Sequence, residues 1–174
     1  MAGAPVFEHR TNAHGTSISI RPTRPDDAPR LQAFHARLSP ETIYWRYLAA
    51  HPRLSAAEAE RLMSVDGENR VAFVATHTEK CQEDIVGVAR YERLRAGQAG
   101  EAEFAIVVED RFQRQGVGTR LWRQLTAYAC AHGVRLFVAV VHPENYRMLN
   151  FLRHSGLKLD TKLYGGVVTV RVCL

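Results

Sequence analysis

One stretch, from Glu101 to Val141, constrains the fold of this chain more than any other. Glu-Ala-Glu-Phe-Ala-Ile-Val-Val (101–108) ends in β-branched residues and reads as a strand. A polar link leads into Gln113-Arg-Gln-Gly116-Val-Gly118-Thr119, and the chain runs straight on into a helical pattern over 116–132. There Val117, Leu121, Leu125 and Tyr128 form one apolar stripe, while Arg120, Arg123 and Gln124 face away from it. Gly133 stands where a helix closes on a left-handed residue. Leu136 to Val141 is then a continuous apolar run, the pattern of a strand buried on both faces.

The flanking sequence supplies the remaining elements. Residues 1–16 are small and polar and read as a flexible N-terminal arm, and Thr16 to Arg21 alternates as a first strand. Asp26 or Asp27 can cap a helix that places Leu31, Phe34 and Leu38 on one side. Ser39-Pro40 restarts the helix, with Ile43, Tyr44, Tyr47 and Leu48 as its apolar side. Ser55 to Glu58 is a capping box for a third helix that turns Ala59, Leu62 and Met63 inward. Arg70–His77 and Ile85–Glu92 read as strands joined by a polar turn over 78–84, and a second turn spans 93–100. After the apolar strand, a helix over 145–155 closes at Gly156, and strands 157–163 and 167–172 flank Gly165-Gly166. The order is β-α-α-α-β-β-β-α-β-α-β-β, without an internal repeat, in a single domain over 17–174.

Length and composition limit what this order can serve. At 174 residues and 46% hydrophobic, the chain is one domain with a sizeable core and is too apolar to be disordered. No apolar run approaches the ~20 residues of a membrane-spanning helix. The first ten residues have neither the basic flank nor the apolar stretch of a secretory signal, so the expected location is the cytoplasm. The net charge is +5, carried by 20 Arg and 3 Lys that are dispersed rather than clustered, which argues against nucleic acid as a partner. Cys81, Cys130 and Cys173 form no C-x-x-C pair and read as reduced thiols. His142-Pro-Glu144 lacks the Pro-Cys-x-x-Cys of a zinc deaminase, neither a G-x-S-x-G nor an H-E-x-x-H motif occurs, and no metal is expected.

The chemistry concentrates at Gln113 to Thr119. Two glycines at a helix start let a ligand approach the backbone closely. The first N–H groups of such a helix lack internal partners and carry about half a positive charge, which suits a phosphate or pyrophosphate. Arg114 or Arg120 could assist. A P-loop would need Lys after the final Gly, where Thr119 stands, and a dinucleotide fingerprint would need Gly at Leu121.

Gln113-x-x-Gly116-x-Gly118 after a strand instead resembles the signature of the GNAT superfamily of N-acetyltransferases, and the likeness runs from Ser17 to Val172. A second block agrees: Asn145-x-x-Met148 through Phe151-Leu-x-His-Ser-Gly156-Leu157 is similar to the family pattern Asn-x-x-Ala-x-x-Leu-Tyr-x-Lys-x-Gly-Phe. The resemblance implies an α/β fold with a mixed, mostly antiparallel sheet of about seven strands flanked by helices. It implies acetyl-coenzyme A as acyl donor. Its pyrophosphate would lie on the amides of Gln113, Arg114, Gln115, Gly116, Val117, Gly118 and Thr119, and its pantetheine arm along the main chain of Ile106, Val107 and Val108. Asn145 would bond to the cofactor, with a plain helix cap as its alternative role.

The family's frequent general acid, a Tyr on the last helix, falls at Leu152. Release of an unassisted thiolate, or help from water, Tyr146 or Tyr164, would have to replace it. The acceptor implied is a primary amine, and freeing a lysine-type amine of its proton at pH 7 costs about 4–5 kcal/mol. Glu103 is the candidate base. It lies ~17 Å along its strand from the loop, a span suited to the pantetheine arm, with Glu101 on the same face as the fallback. Leu38 to Tyr47 and Ala102 to Val108 are similar to segments of bacterial protein-lysine acetyltransferases, in which Tyr44, Trp45 and Tyr47 would shape a substrate groove. A small-molecule amine acetyltransferase and a non-catalytic acyl-CoA-binding sensor are the alternatives. The last strand pair is a possible homodimer contact.

Overall fold

Short alternating strands with helices on either side build one twisted sheet in the computed structural model, which describes residues 8–11, 17–94 and 100–174. The strands are β1 (Glu8–Thr11), β2 (Ser17–Pro22), β3 (Arg70–Glu79), β4 (Gln82–Arg93), β5 (Glu101–Val108), β6 (Leu136–Val141), β7 (Lys158–Tyr164) and β8 (Val167–Cys173). The helices are α1 (Ala28–Ala36), α2 (Pro40–Tyr47), α3 (Ala56–Met63), α4 (Val117–Ala131) and α5 (Tyr146–Arg153). The strand order is β1-β2-β3-β4-β5-β6-β8-β7, antiparallel throughout except between β5 and β6. This is the mixed, mostly antiparallel α/β sheet implied by the sequence, with β1 as an eighth strand.

The middle strands are buried on both faces because helices cover both. Phe73 and Tyr91 join Phe104, Leu121, Trp122, Leu125 and Phe137 beneath α4. Val74, Ile85 and Val88 point the other way, onto Leu31, Phe34, Ile43 and Met63 of α1–α3. The caps read from sequence form at two of the three early helices. Ser39 Oγ accepts the Thr42 N–H at 3.1 Å, and Ser55 and Glu58 bond reciprocally. Asp27 does not cap α1 with its side chain. Its carboxylate instead takes both Nη atoms of Arg21, at 2.7 and 2.8 Å, and the Arg24 N–H.

Three local expectations change. Glu8–Thr11, assigned to the flexible arm, pairs with β2 from Glu8↔Ile20 to Thr11↔Ser17. An edge strand of this kind needs only backbone bonds, so its polar residues carry no periodic signal. The rest of the arm (1–7 and 12–16), and residues 95–99 of the second turn, lie outside the described residues. The turn expected over 78–84 shrinks to Lys80 and Cys81, at φ 48° and 67°, and the ladder extends to Glu79↔Gln82. Such a two-residue hairpin favours residues that accept positive φ, and neither side chain here advertises it. Finally, β6 is not buried on both faces: Val140 is 51% exposed.

Candidate active site

The exposure of β6 follows from how it meets β5. The parallel pairing holds only Glu101–Glu103 against Leu136–Val138 and then stops. Between Ala105–Val108 and Ala139–Val141 the sheet opens into a cleft of about 650 Å3, within the usual range for a small-molecule site. Glu101 O accepts from Leu94 N, and Glu109 N donates to Val86 O, so odd-numbered residues of β5 bond to β4. Even-numbered residues therefore aim their N–H and C=O groups at the opening. Of the three residues expected to offer main-chain groups, Ile106 and Val108 do so and Val107 is spent on β4. The Val108 carbonyl already accepts Gln113 Nε2 at 3.0 Å.

At one end of the cleft, Gly116 (φ 79°) and Arg114 (φ 58°) turn the loop into α4. The first bond of the helix ladder is Arg120 N–H to Gly116 O at 3.0 Å, which leaves the N–H groups of Val117, Gly118 and Thr119 without an acceptor one turn back. A Cβ on Gly116 would meet nothing within 4 Å, so the space beside it is open. A Cβ on Gly118 would stand 3.7 Å from Val108 and 4.0 Å from Phe151, against the cleft wall. This combination of bared amides, positive helix terminus and open volume fits a diphosphate.

Not every residue of the loop is free for that task. The Gln113 amide is taken by Asp110 O at 3.3 Å, and its side chain braces Val108 and receives Arg147 Nη1 at 3.4 Å. Gln115 Nε2 is bonded to Arg111 O. Arg120 does not face away from the sheet: its guanidinium reaches β2 and donates to Ile18 O at 3.1 and 3.2 Å. The cations that line the cleft beside the loop are Arg114 and Arg147. Arg147 escaped the sequence reading, although its place two residues after Asn145, in the first turn of α5, puts it beside the loop. Asn145 lines the cleft and also caps α5, its Oδ1 accepting the Met148 N–H at 3.0 Å.

At the other end stands Glu103, exposed; its carboxylate makes no hydrogen bond or ion pair among the described residues and is attracted by Arg46 of the facing wall. Glu101, the fallback, is held by Arg171 at 3.0 Å. Leu152 is fully buried, and Met148 and Phe151 form the α5 wall instead. Tyr146 and Tyr164 are 65% and 79% exposed and do not line the cleft. The phenol that does is Tyr47, held protonated by burial, which Arg46 opposes in part.

Helix α2 forms the opposite wall with Thr42, Trp45, Arg46 and Tyr47. Trp45 reaches across to His142, just past β6, with ring centres 4.9 Å apart, and Tyr44 lies 5.7 Å from the same imidazole. Of the three aromatics of this segment, Trp45 and Tyr47 line the cleft, while Tyr44 lies outside its wall against His142. Among the described residues no group of His, Cys, Asp and Glu is arranged to hold a metal ion, and no helix is long and apolar enough to cross a membrane.

Comparison with known proteins places this geometry in context. The family described as "Acetyltransferase (GNAT) domain" matches residues 17–158. An acetyltransferase of Pseudomonas aeruginosa is 33% identical over 134 residues, covering 77% of this chain and 71% of that protein. The acetyltransferase Pat of Mycolicibacterium smegmatis is 31% identical over 155 residues, 89% of this chain but 45% of that longer protein. The crystal structure of the GNAT domain of S. lividans PAT superposes with a TM-score of 0.85 at 32% identity, covering 97% of each chain.

Proposed function

The chain belongs to the GNAT acetyltransferases, and from that premise we propose that it carries acetyl from acetyl-coenzyme A to the side-chain amine of a protein lysine, with Glu103 as base. The observation that carries this reading is the unpaired Glu103 carboxylate at the point where β5 and β6 part. The N–H groups of Val117, Gly118 and Thr119, with Arg114 and Arg147, hold the pyrophosphate. Ile106 and the Val108 N–H bond to the pantetheine arm as a neighbouring strand would, which brings the thioester toward Glu103. Asn145 keeps its NH2 free to donate to the cofactor while Oδ1 serves the cap.

Glu103 takes one proton from the acceptor ammonium, the freed nitrogen attacks the thioester carbonyl, and as the C–S bond breaks the nitrogen gives up a second proton, which goes to the departing sulfur through Tyr47. Holding amine and thioester in line supplies much of the rate, because it removes the entropy of bringing them together. The departing thiolate, with a pKa near 8.5 by analogy with Cys, leaves without much help at neutral pH. Tyr47, protonated and in the cleft, replaces the missing phenol of α5 as the proton source. The protein lysine as acceptor rests on the likeness of Leu38–Tyr47 and Ala102–Val108 to bacterial protein-lysine acetyltransferases and on the resemblance to Pat.

Thiol release from acetyl-coenzyme A across lysine peptides and small amines tests the proposal. Release with peptides alone supports it. Release with small amines alone transfers the activity to a metabolite acceptor, and release with neither, despite cofactor binding, makes the domain an acyl-CoA sensor.

A further inference from the structure

Beside the Glu103 end of the cleft lies a small recess, mainly apolar in lining but with His35, Arg46 and Arg90 among its walls. It is a cavity of about 40 Å3 between α1–α3 and the β4–β5 face, and it shares Arg46, Tyr47, Ala105 and Val107 with the cleft. A buried water needs roughly 10–15 Å3, so there is room for more than one oxygen atom. Arg46 makes no hydrogen bond or ion pair among the described residues; it stacks on Tyr47, 5.0 Å from the ring centre, and is attracted from farther off by Glu103. Arg90 Nη1 is buried without a partner, and Nη2 lies 3.7 Å from Glu92, a largely exposed carboxylate. His35, 3% exposed, likewise leaves Nε2 unpartnered, facing the rings of Tyr47 and His51.

Three groups able to donate therefore line a small and otherwise mainly apolar space, two of them cationic; the carboxylates nearest them are Glu92, 3.7 Å from Arg90, and Glu103, which attracts Arg46 without bonding to it. Burial lowers the pKa of both guanidiniums, and Arg46 and Arg90 stand near enough to repel each other. Burial also lowers that of His35, which is neutral at pH 7 and donates from Nε2 in one tautomer. Desolvated cations of this kind are costly unless an anion compensates them.

We propose that this recess receives a carboxylate of the acceptor, so that the preferred amine is one with a carboxylate nearby. The spacing agrees. Arg90 sits opposite Ala105, two residues from Glu103 on the same face, which is roughly 7 Å along the strand. An amine bonded to Glu103 and a carboxylate bonded to Arg90 and Arg46 then belong to one compact group. A free amino acid and a lysine beside an acidic residue both present that chemistry. The inference rests on the proposed function for the place of the amine, and on the recess alone for the place of the anion.

The test titrates protein saturated with desulfo-coenzyme A, by calorimetry, with peptides containing Lys-Glu or Lys-Gln and with amino acids or their amides. Thiol release is measured on the same four acceptors. The carboxylate member of at least one pair is expected to bind tenfold or more tightly than its amide, and which pair does so identifies the source. Arg46→Gln and Arg90→Gln should each shrink that ratio below about twofold, and Arg90→Lys should retain part of it. Melting curves separate this from a structural role: a lost structural cation lowers the midpoint, whereas removal of an uncompensated one leaves it level or raises it. Equal binding within both pairs, no binding of any probe, or a ratio that survives both substitutions would overturn the recess. Carboxylate preference without thiol release would keep the recess and defeat the proposed transfer, and release without preference would do the reverse.

Discussion

Arg21 and the pair Arg46 and Arg90 are arginines on the same sheet in opposite circumstances. Arg21, on β2, is buried, bonds both Asp27 oxygens, and reaches Glu83 at 3.0 Å and Pro22 O. The bonds from Asp27 and Glu83 raise its pKa above the ordinary value against the opposing effect of burial. Arg46 and Arg90 line the recess beside the cleft, bond to no carboxylate more closely than Arg90 does to Glu92 at 3.7 Å, and shift the other way through burial. At β2 the charge is neutralised within the protein. Around the recess beside the cleft it is met less completely, although Arg90 there belongs to a strand paired on both sides. Incomplete satisfaction therefore marks the functional half of this fold better than the number of arginines does.

The sharpest way to break this contrast is to remove a partner on the satisfied side. Asp27→Ala leaves Arg21 buried with Glu83 as its one remaining carboxylate beside the Pro22 carbonyl, and removes the acceptor for the Arg24 N–H. We expect a loss of about 3–5 kcal/mol. For a chain of this size that lowers the melting midpoint by roughly 6–20 °C. Arg90→Met, by contrast, should move the midpoint little or upward. Equal losses in calorimetric melts of the two variants would abolish the distinction between the two halves.

Within the cleft, Glu103→Gln should reduce turnover by about 10²–10⁴-fold. The deficit should be greatest below pH 8 and fade toward pH 10, because a lysine amine loses its proton unaided as pH approaches ~10.4. Affinity for acetyl-coenzyme A should stay as it was. A deficit independent of pH would remove Glu103 as the base. At the far end, Gly116→Glu should weaken acetyl-coenzyme A at least roughly tenfold, about 1.4 kcal/mol, by placing a carboxylate beside the bared amides and a side chain on a left-handed backbone. Unchanged calorimetric affinity would show that the pyrophosphate lies elsewhere.

How legible each part was in the sequence follows from how local its cause is. The bounds of β5 and β6, the stripe of α4 and the caps at Ser39 and Ser55 depend on near neighbours, and all could be read directly. The two-residue hairpin at Lys80-Cys81 was hidden because its φ values come from strand pairing rather than from glycine. Val140 read as core because nothing in an apolar run announces that the neighbouring strand departs after three residues. The loop could be read as a phosphate cradle, but not that Gln113 would brace it or that Arg120 would turn to β2. Arg46 and Arg90 were invisible as a pair. They come from a helix and a strand 44 positions apart, and what distinguishes them is a missing partner, which no sequence spells out.

The smallest effect tests the same contrast through pH. Burial pushes the Asp27 carboxyl up, but the bonds from Arg21 and the Arg24 N–H outweigh it and hold the group below the ordinary value. The bond from Arg21 likewise lowers Glu83, against burial. Groups with depressed folded pKa values contribute stability that is fully present above their unfolded values, near pH 4, and is lost as pH falls through the folded ones. Arg46 and Arg90 stay charged across that window and contribute no such slope. On acidification below about pH 4, amide exchange should therefore rise first at β2, β3 and the start of α1, ahead of β5 and β6. In Asp27→Asn this early rise should diminish, since the side chain no longer titrates and its share of stability is already gone at neutral pH. Exchange that rises uniformly over the sheet, in both proteins, would mean that the Arg21 network does not set the acid limit of this fold.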